Sequence, residues 1–200
     1  DFETDQKNLE VLKDVCGIIV PGGFGSSGVE GKIIAIRYAR QNNIPYLGLC
    51  LGLQLAVVEF ARHVCGIGKA HTTEVDPDTK CPVIDFLPWQ KKLIAESKYG
   101  ATMRLGGQTI KIKPETLAHK LYGKDKVIER FRHRYEINPD YIMQLEKNGF
   151  VFSGESEKDA GIMQIGELPQ SKHTFFIGTQ AHPEFTSRPL NPNPLFDGFI

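Results

Sequence analysis

Cysteine is scarce in this sequence. There are four in 200 residues, Cys16, Cys50, Cys65 and Cys81, with no C-x-x-C pair. The six histidines do not combine with them at zinc-site spacing, so no metal site is expected. A chain of this size folds without disulfides, and reduced thiols in a cytoplasmic setting are expected. Net charge is also lacking: Lys plus Arg and Asp plus Glu number 24 each. That balance argues against a polyanion-binding domain, so no nucleic-acid partner is expected. No apolar run is long enough to cross a bilayer, and no basic segment leads into an apolar one. Neither a membrane span nor a secretion signal is therefore read. Repeats, low-complexity tracts and dividing linkers are missing too, which leaves one domain over residues 1–200. The chain opens "DFETDQ" without Met, as expected of a piece of a longer protein.

What is present begins with two apolar strands, "CGIIVPGGFG" (16–25) and "IPYLGLC" (44–50). Between them "VEGKIIAIRYARQNN" (29–43) has helical spacing. After Cys50, Leu53, Val57, Phe60 and Val64 form a helical stripe. This β-α-β-α start predicts an α/β fold with a central, mostly parallel sheet flanked by helices on both faces. The second half predicts strands in 109–113, 127–137, 150–155, 161–168 and 174–182, with one helix over 139–149. Residues 86–108 show no period and read as a long loop. The proline-rich tail from Ser187 reads as surface chain.

Gly48-Leu49-Cys50-Leu51-Gly52 is a thiol version of the G-x-S-x-G elbow, where a strand turns sharply into a helix with the nucleophile at its apex. The helix N-terminus favours a thiolate, and the Leu51 N–H points where an oxyanion would form. The competing reading is that Cys50 is a small core hydrophobe, as most free cysteines are. A base is offered by "QAHPEF" (180–185), which follows an apolar strand. Extended backbone would turn His182 and Glu184 the same way, so that Glu184 orients the ring. A surface histidine beside a solvated carboxylate is the alternative. "PGGFG" (21–25) leaves backbone N–H groups uncovered at Gly22 and Gly23, suiting either a second oxyanion donor or a phosphate, although it lacks a P-loop lysine.

Together "VPGGFG", "GVEGKI", "LGLCLGLQLAVVEFAR", "TTEVDP", "TMRLG", "RFRHRYEINP" and "HPEFTSRP" resemble the glutamine amidotransferase domain of the CTP synthase family. G-x-C-x-G and H-P-E mark class I glutaminases in general; "LQLAVVEFAR", "TMRLG" and "RHRYEIN" point to the CTP synthase branch. The resemblance implies a triad of Cys50, His182 and Glu184, with oxyanion donors at Gly23 and Leu51. It implies that Gly22, Phe24, Gln54, Glu74 and Arg134 hold L-glutamine. An Arg fork suits its α-carboxylate and a Glu its α-ammonium. Arg134 also fits as a solvated charge on an alternating strand. The resemblance further implies a covalently linked synthetase domain that uses ATP and Mg to aminate UTP. It implies oligomerisation of the full enzyme, no cofactor in this domain, and GTP as an effector near Thr102 and Arg104. Two positions depart from the family pattern. Ser27 stands where an Arg linked to GTP activation is usual, and Ala181 replaces a frequent aromatic before "HPEF".

Overall fold

A computed structural model of the chain describes residues 2–4, 6–87, 90 and 103–200. Strand β1 (Ile18–Val20) leads through the glycine-rich turn into helix α1 (Val29–Gln41). Strand β2 (Tyr46–Leu49) follows and runs through Cys50 into helix α2 (Leu51–His63). These are the predicted β-α-β-α elements. β2 is buried at every position, as an interior parallel strand requires.

The remaining elements are β3 (Ala70–Thr72), β4 (Cys81–Asp85), β5 (Arg104–Ile112), α3 (Leu117–Tyr122), β6 (Lys126–His133) and β7 (Glu136–Ile137). Then come α4 (Pro139–Lys147), β8 (Val151–Ser156), β9 (Met163–Glu167), β10 (Phe176–Thr179) and α5 (Pro194–Phe199). Among the described residues seven strands form one sheet in the order β1-β2-β10-β9-β8-β5-β6. β1, β2 and β10 are mutually parallel, and from β9 to β6 every pairing is antiparallel. The sheet is therefore mixed, its parallel part confined to the side built from β1, β2 and β10. A small second sheet, β3-β4-β7, packs against α2.

Helices cover both faces. On one, α1 and α2 bury Ile33, Ile36, Leu53, Val57 and Phe60 against Tyr46 and Phe176, whose rings stack at 4.6 Å. On the other, Leu117, Ala118 and Leu195 cover Leu47, Ile165 and Ile177. The proline-rich tail is thus not simply surface chain, because α5 plants a fully buried Leu195. The loop expected over 86–108 is also corrected at its end, where Arg104 opens a nine-residue strand. Its period was hidden because Arg104, buried, and Gln108, half-buried, stand where alternation would put hydrophobes. Thr102 lies outside the described residues. All four cysteines are free. Among the described residues no helix is long and apolar enough to cross a membrane.

Candidate active site

Cys50 sits between β2 and α2 with φ 51° and ψ −101°, a left-handed conformation unusual for a residue with a side chain. The turn exists because both flanking glycines are crossed closely. A Cβ on Gly48 would lie 2.7 Å from the carbonyl carbon of Gly52, and one on Gly52 would press into the Val20 carbonyl. The Cys50 N–H donates to the Thr179 carbonyl at 2.7 Å, which fastens the elbow to β10. The thiol is 3% exposed as a residue, and burial pushes its pKa up to about 12. Hydrogen bonds from the Leu51 N–H and the Gln180 side chain oppose that rise, while Glu74 and Glu184 reinforce it.

His182 follows β10 and is also buried, and its Nδ1 lies 2.6 Å from Glu184 Oε1. The pair does not arise from extended backbone, as the sequence suggested. Pro183–Phe185 form a 3-10 turn that folds Glu184 back under the ring. Phe185 stacks on the imidazole at 5.0 Å. The His182 backbone N–H donates to the Arg130 carbonyl, so β6 also holds this residue. Buried His182 Nε2 has no hydrogen-bond partner among the described residues. The space for the imidazole next to Cys50 comes from Gly22, where a Cβ would lie 2.7 Å from His182 Cε1 and 3.5 Å from Cys50 Cβ.

A cavity of about 360 Å³ opens beside the thiol, lined by Gly23, Phe24, Gln54, Glu74 and Arg134 among others. The small sheet aims the two charges into it. Glu74 follows β3, where its N–H donates to Thr72 Oγ1, and Arg134 lies between β6 and β7. Half-burial raises the Glu74 carboxyl pKa; the Gly25 N–H, which donates to its Oε1 at 2.9 Å, and the Arg134 charge pull the other way. Phe24 is 59% exposed and stands at the cavity mouth. Leu51, whose N–H reaches the sulfur, begins α2, and Gly23 lies in the turn packed against it.

Some features were not foreseen from the sequence. His133 is buried and lines the cavity, and its Nε2 lies 2.9 Å from the fully buried Glu136. Glu136 is in turn ion-paired to Arg104, which reaches Asp159 at 2.8 Å. Arg104 is thus a buried bracket between β5 and β7. It also lines a groove of about 770 Å³ with Gln108 and Asp159. Gln180 is fully buried against the thiol, yet "TQA" after an apolar strand carries no signal for it. Ser27 precedes α1, and its carbonyl accepts from Lys32 Nζ. Ala181 is fully buried in the core on the α3 and α5 face.

A buried thiol at a strand-to-helix elbow, an imidazole with its carboxylate, and a charged cavity beside them form a set suited to acyl transfer. The family described as Glutamine amidotransferase class-I matches residues 1–200, and the chain belongs to that family. Within it the chain is similar to the CTP synthases. It is 55% identical over 198 residues to the CTP synthase of Thermococcus gammatolerans and 56% identical over 200 residues to that of Sulfurisphaera tokodaii. These matches cover 99% and 100% of the chain but 36% of each relative's length. The solved glutaminase domain of Trypanosoma brucei CTPS, with bound acivicin, superposes with a TM-score of 0.89 at 35% identity. That match covers 97% of this chain and 73% of the other.

Proposed function

We propose that this chain hydrolyses the side-chain amide of glutamine and supplies the ammonia to a linked synthetase portion that aminates UTP to CTP. The observation that carries the reading is the meeting of Cys50 with the His182–Glu184 pair, beside a cavity with Glu74 and Arg134 on its wall. Glutamine is a zwitterion with a neutral side-chain amide. Arg134 takes its α-carboxylate and Glu74 its α-ammonium, so the amide carbon is presented to the thiol.

His182 Nε2 takes the thiol proton as Sγ bonds to the amide carbon, and the carbonyl electrons move onto oxygen. The Gly23 and Leu51 N–H groups hold that oxyanion, each worth about 3 kcal/mol in comparable sites. The oxyanion collapses, the C–N bond breaks, and His182 delivers its proton to the departing nitrogen, which leaves as ammonia. His182 then takes a proton from water as the water oxygen attacks the thioester. The C–S bond breaks, glutamate leaves and the sulfur recovers its proton. Such a sequence needs no free thiolate beforehand, which suits a thiol whose pKa burial drives up to about 12.

The similarity to CTP synthases carries the rest of the proposal. ATP and Mg act in the synthetase portion, the whole enzyme is oligomeric, and GTP acts as an effector near Thr102 and Arg104. An effector drawing on the Arg104 guanidinium would have to compete with Glu136 and Asp159.

The test is mass spectrometry after exposure to a glutamine analogue that carries an electrophile, alongside glutaminase assays of variants. One adduct on Cys50 is expected. Cys50→Ala and His182→Ala should each lose on the order of 10⁴-fold or more in kcat, and Glu184→Gln distinctly less, because it only orients the base. Full activity in Cys50→Ala would overturn the reading.

A further inference from the structure

A side chain outside the triad touches the sulfur. Gln180 is 0% exposed, and its Nε2 donates to Cys50 Sγ at 3.5 Å. Its amide cannot turn freely, because Gln180 Oε1 accepts from Gln54 Nε2 at 3.2 Å. Gln54 Nε2 donates as well to the Tyr135 carbonyl at 2.9 Å. Both hydrogens of the Gln54 amide are thereby used. The direction of the Gln180 amide is dictated by a main-chain carbonyl just before β7. The Gln180 backbone is also fixed, its N–H donating to the Gln164 carbonyl at 2.8 Å.

On this basis we infer that Gln180 is a further catalytic residue of the proposed glutaminase, presenting the Cys50 thiol to its base and holding the sulfur as it gives up its proton. The inference rests on the reading of Cys50 as nucleophile. The Gln180 amide donates to a lone pair of the sulfur and leaves the Leu51 N–H for the oxyanion. With that lone pair occupied, the S–H bond is directed away from the amide. The Nε2 of His182 is buried without a partner and available to accept that proton. A hydrogen bond to an ionised partner is stronger than the same bond to a neutral one, so the Gln180 contact gains as negative charge develops on sulfur. The relay also joins the nucleophile to the wall of the substrate cavity through Gln54.

The experiment uses Gln180→Met, which removes the donor at similar length, and the isosteric Gln180→Glu, each in the intact protein. The first readout is the rate of Cys50 alkylation by iodoacetamide from neutral to mildly alkaline pH. Both variants should displace the rising limb by about one pH unit, giving about ten-fold slower alkylation at a given pH, the loss expected for one hydrogen bond to a charged group. The second readout is glutaminase kinetics, where kcat should fall by about ten-fold with KM little changed. Folded variants that alkylate and turn over like the parent would overturn the inference. So would variants that only melt earlier with an unmoved alkylation profile. Full activity in Cys50→Ala would instead defeat the underlying reading, so the two failures are distinguishable.

Discussion

Glu74 is half-buried, and the loss of hydration makes its carboxyl harder to ionise than an ordinary glutamate. Only the ionised form attracts an ammonium group. As pH falls, Glu74 takes up its proton earlier than an ordinary carboxylate would, and capture of glutamine should weaken from that higher pH downward. KM for glutamine should therefore rise on the acid side while kcat changes little over the same interval. Glu74→Gln should raise KM by roughly ten- to hundred-fold at neutral pH, the cost of one charge-assisted contact, and flatten the acid limb. Steady-state kinetics across pH on both proteins check this, and an acid limb that persists in the variant would assign it to another group. The Cys50 elbow and the His182–Glu184 contact were legible in the sequence as local patterns, although a 3-10 turn and not extended backbone makes the contact. Gln180 was not, because its meaning comes from Gln54 and Tyr135, which lie far away along the chain.

Between elements, α1 and α2 are joined by Arg40 and Glu59. The guanidinium donates to both carboxylate oxygens at 2.8 Å, and the Glu59 side chain is fully buried. His63 lies 3.2 Å from the same carboxylate. Because α2 begins at Cys50, this fork helps fix the helix that carries the elbow. Arg40→Ala would strand a buried carboxylate, at a cost of about 3 kcal/mol. For a domain of this size that lowers the melting temperature by roughly 6–12 °C, with catalysis below the transition largely intact. Thermal melts and room-temperature assays separate the two effects, and an unmoved melt would show that water or His63 compensates. The strongly patterned α1, β2 and α2 could be read from sequence, whereas β3 is three residues long and carries no period, and the strand expected over 127–137 is broken after His133 into β6 and β7. Helices α3 and α5 span six residues each, too few for a stripe to stand out. The small sheet beside Glu74 and Arg134 was therefore not recognisable as a sheet, although the family resemblance singled out both residues. Only the parallel corner of the sheet was deducible from the β-α-β start; the antiparallel remainder comes from strands whose partners the pattern does not name, β5 pairing with β8 as well as with β6.

Across the whole molecule, the last strand in sequence is a central one in space. β10 pairs with β2 on one side and β9 on the other. It also brings His182 and Gln180 to the elbow, so the thiol and the imidazole beside it come from stretches far apart in the sequence. A chain emerging from the ribosome would complete β1, α1, β2 and α2 well before Phe176 appears. Until then the hydrogen-bonding edge of β2 that β10 will occupy has no partner. At ~5–20 residues per second, the interval between Leu49 and Phe176 is roughly 6–25 s. A nascent chain thus carries an apolar, unpaired strand edge for a time much longer than hairpin formation needs. A protein ending at Thr174 should never escape that condition and should collect in the insoluble fraction. One ending at Arg188 keeps β10, loses buried Asn193 with its hydrogen bond to Glu129 and α5 with its Leu195, and should remain soluble with a lowered melting temperature. Fractionation of the two truncations after expression tests this, and a soluble, monomeric chain ending at Thr174 would contradict it. The placement that brings base to thiol thus makes the birth of the molecule, rather than its mature state, the moment when it is most exposed to self-association.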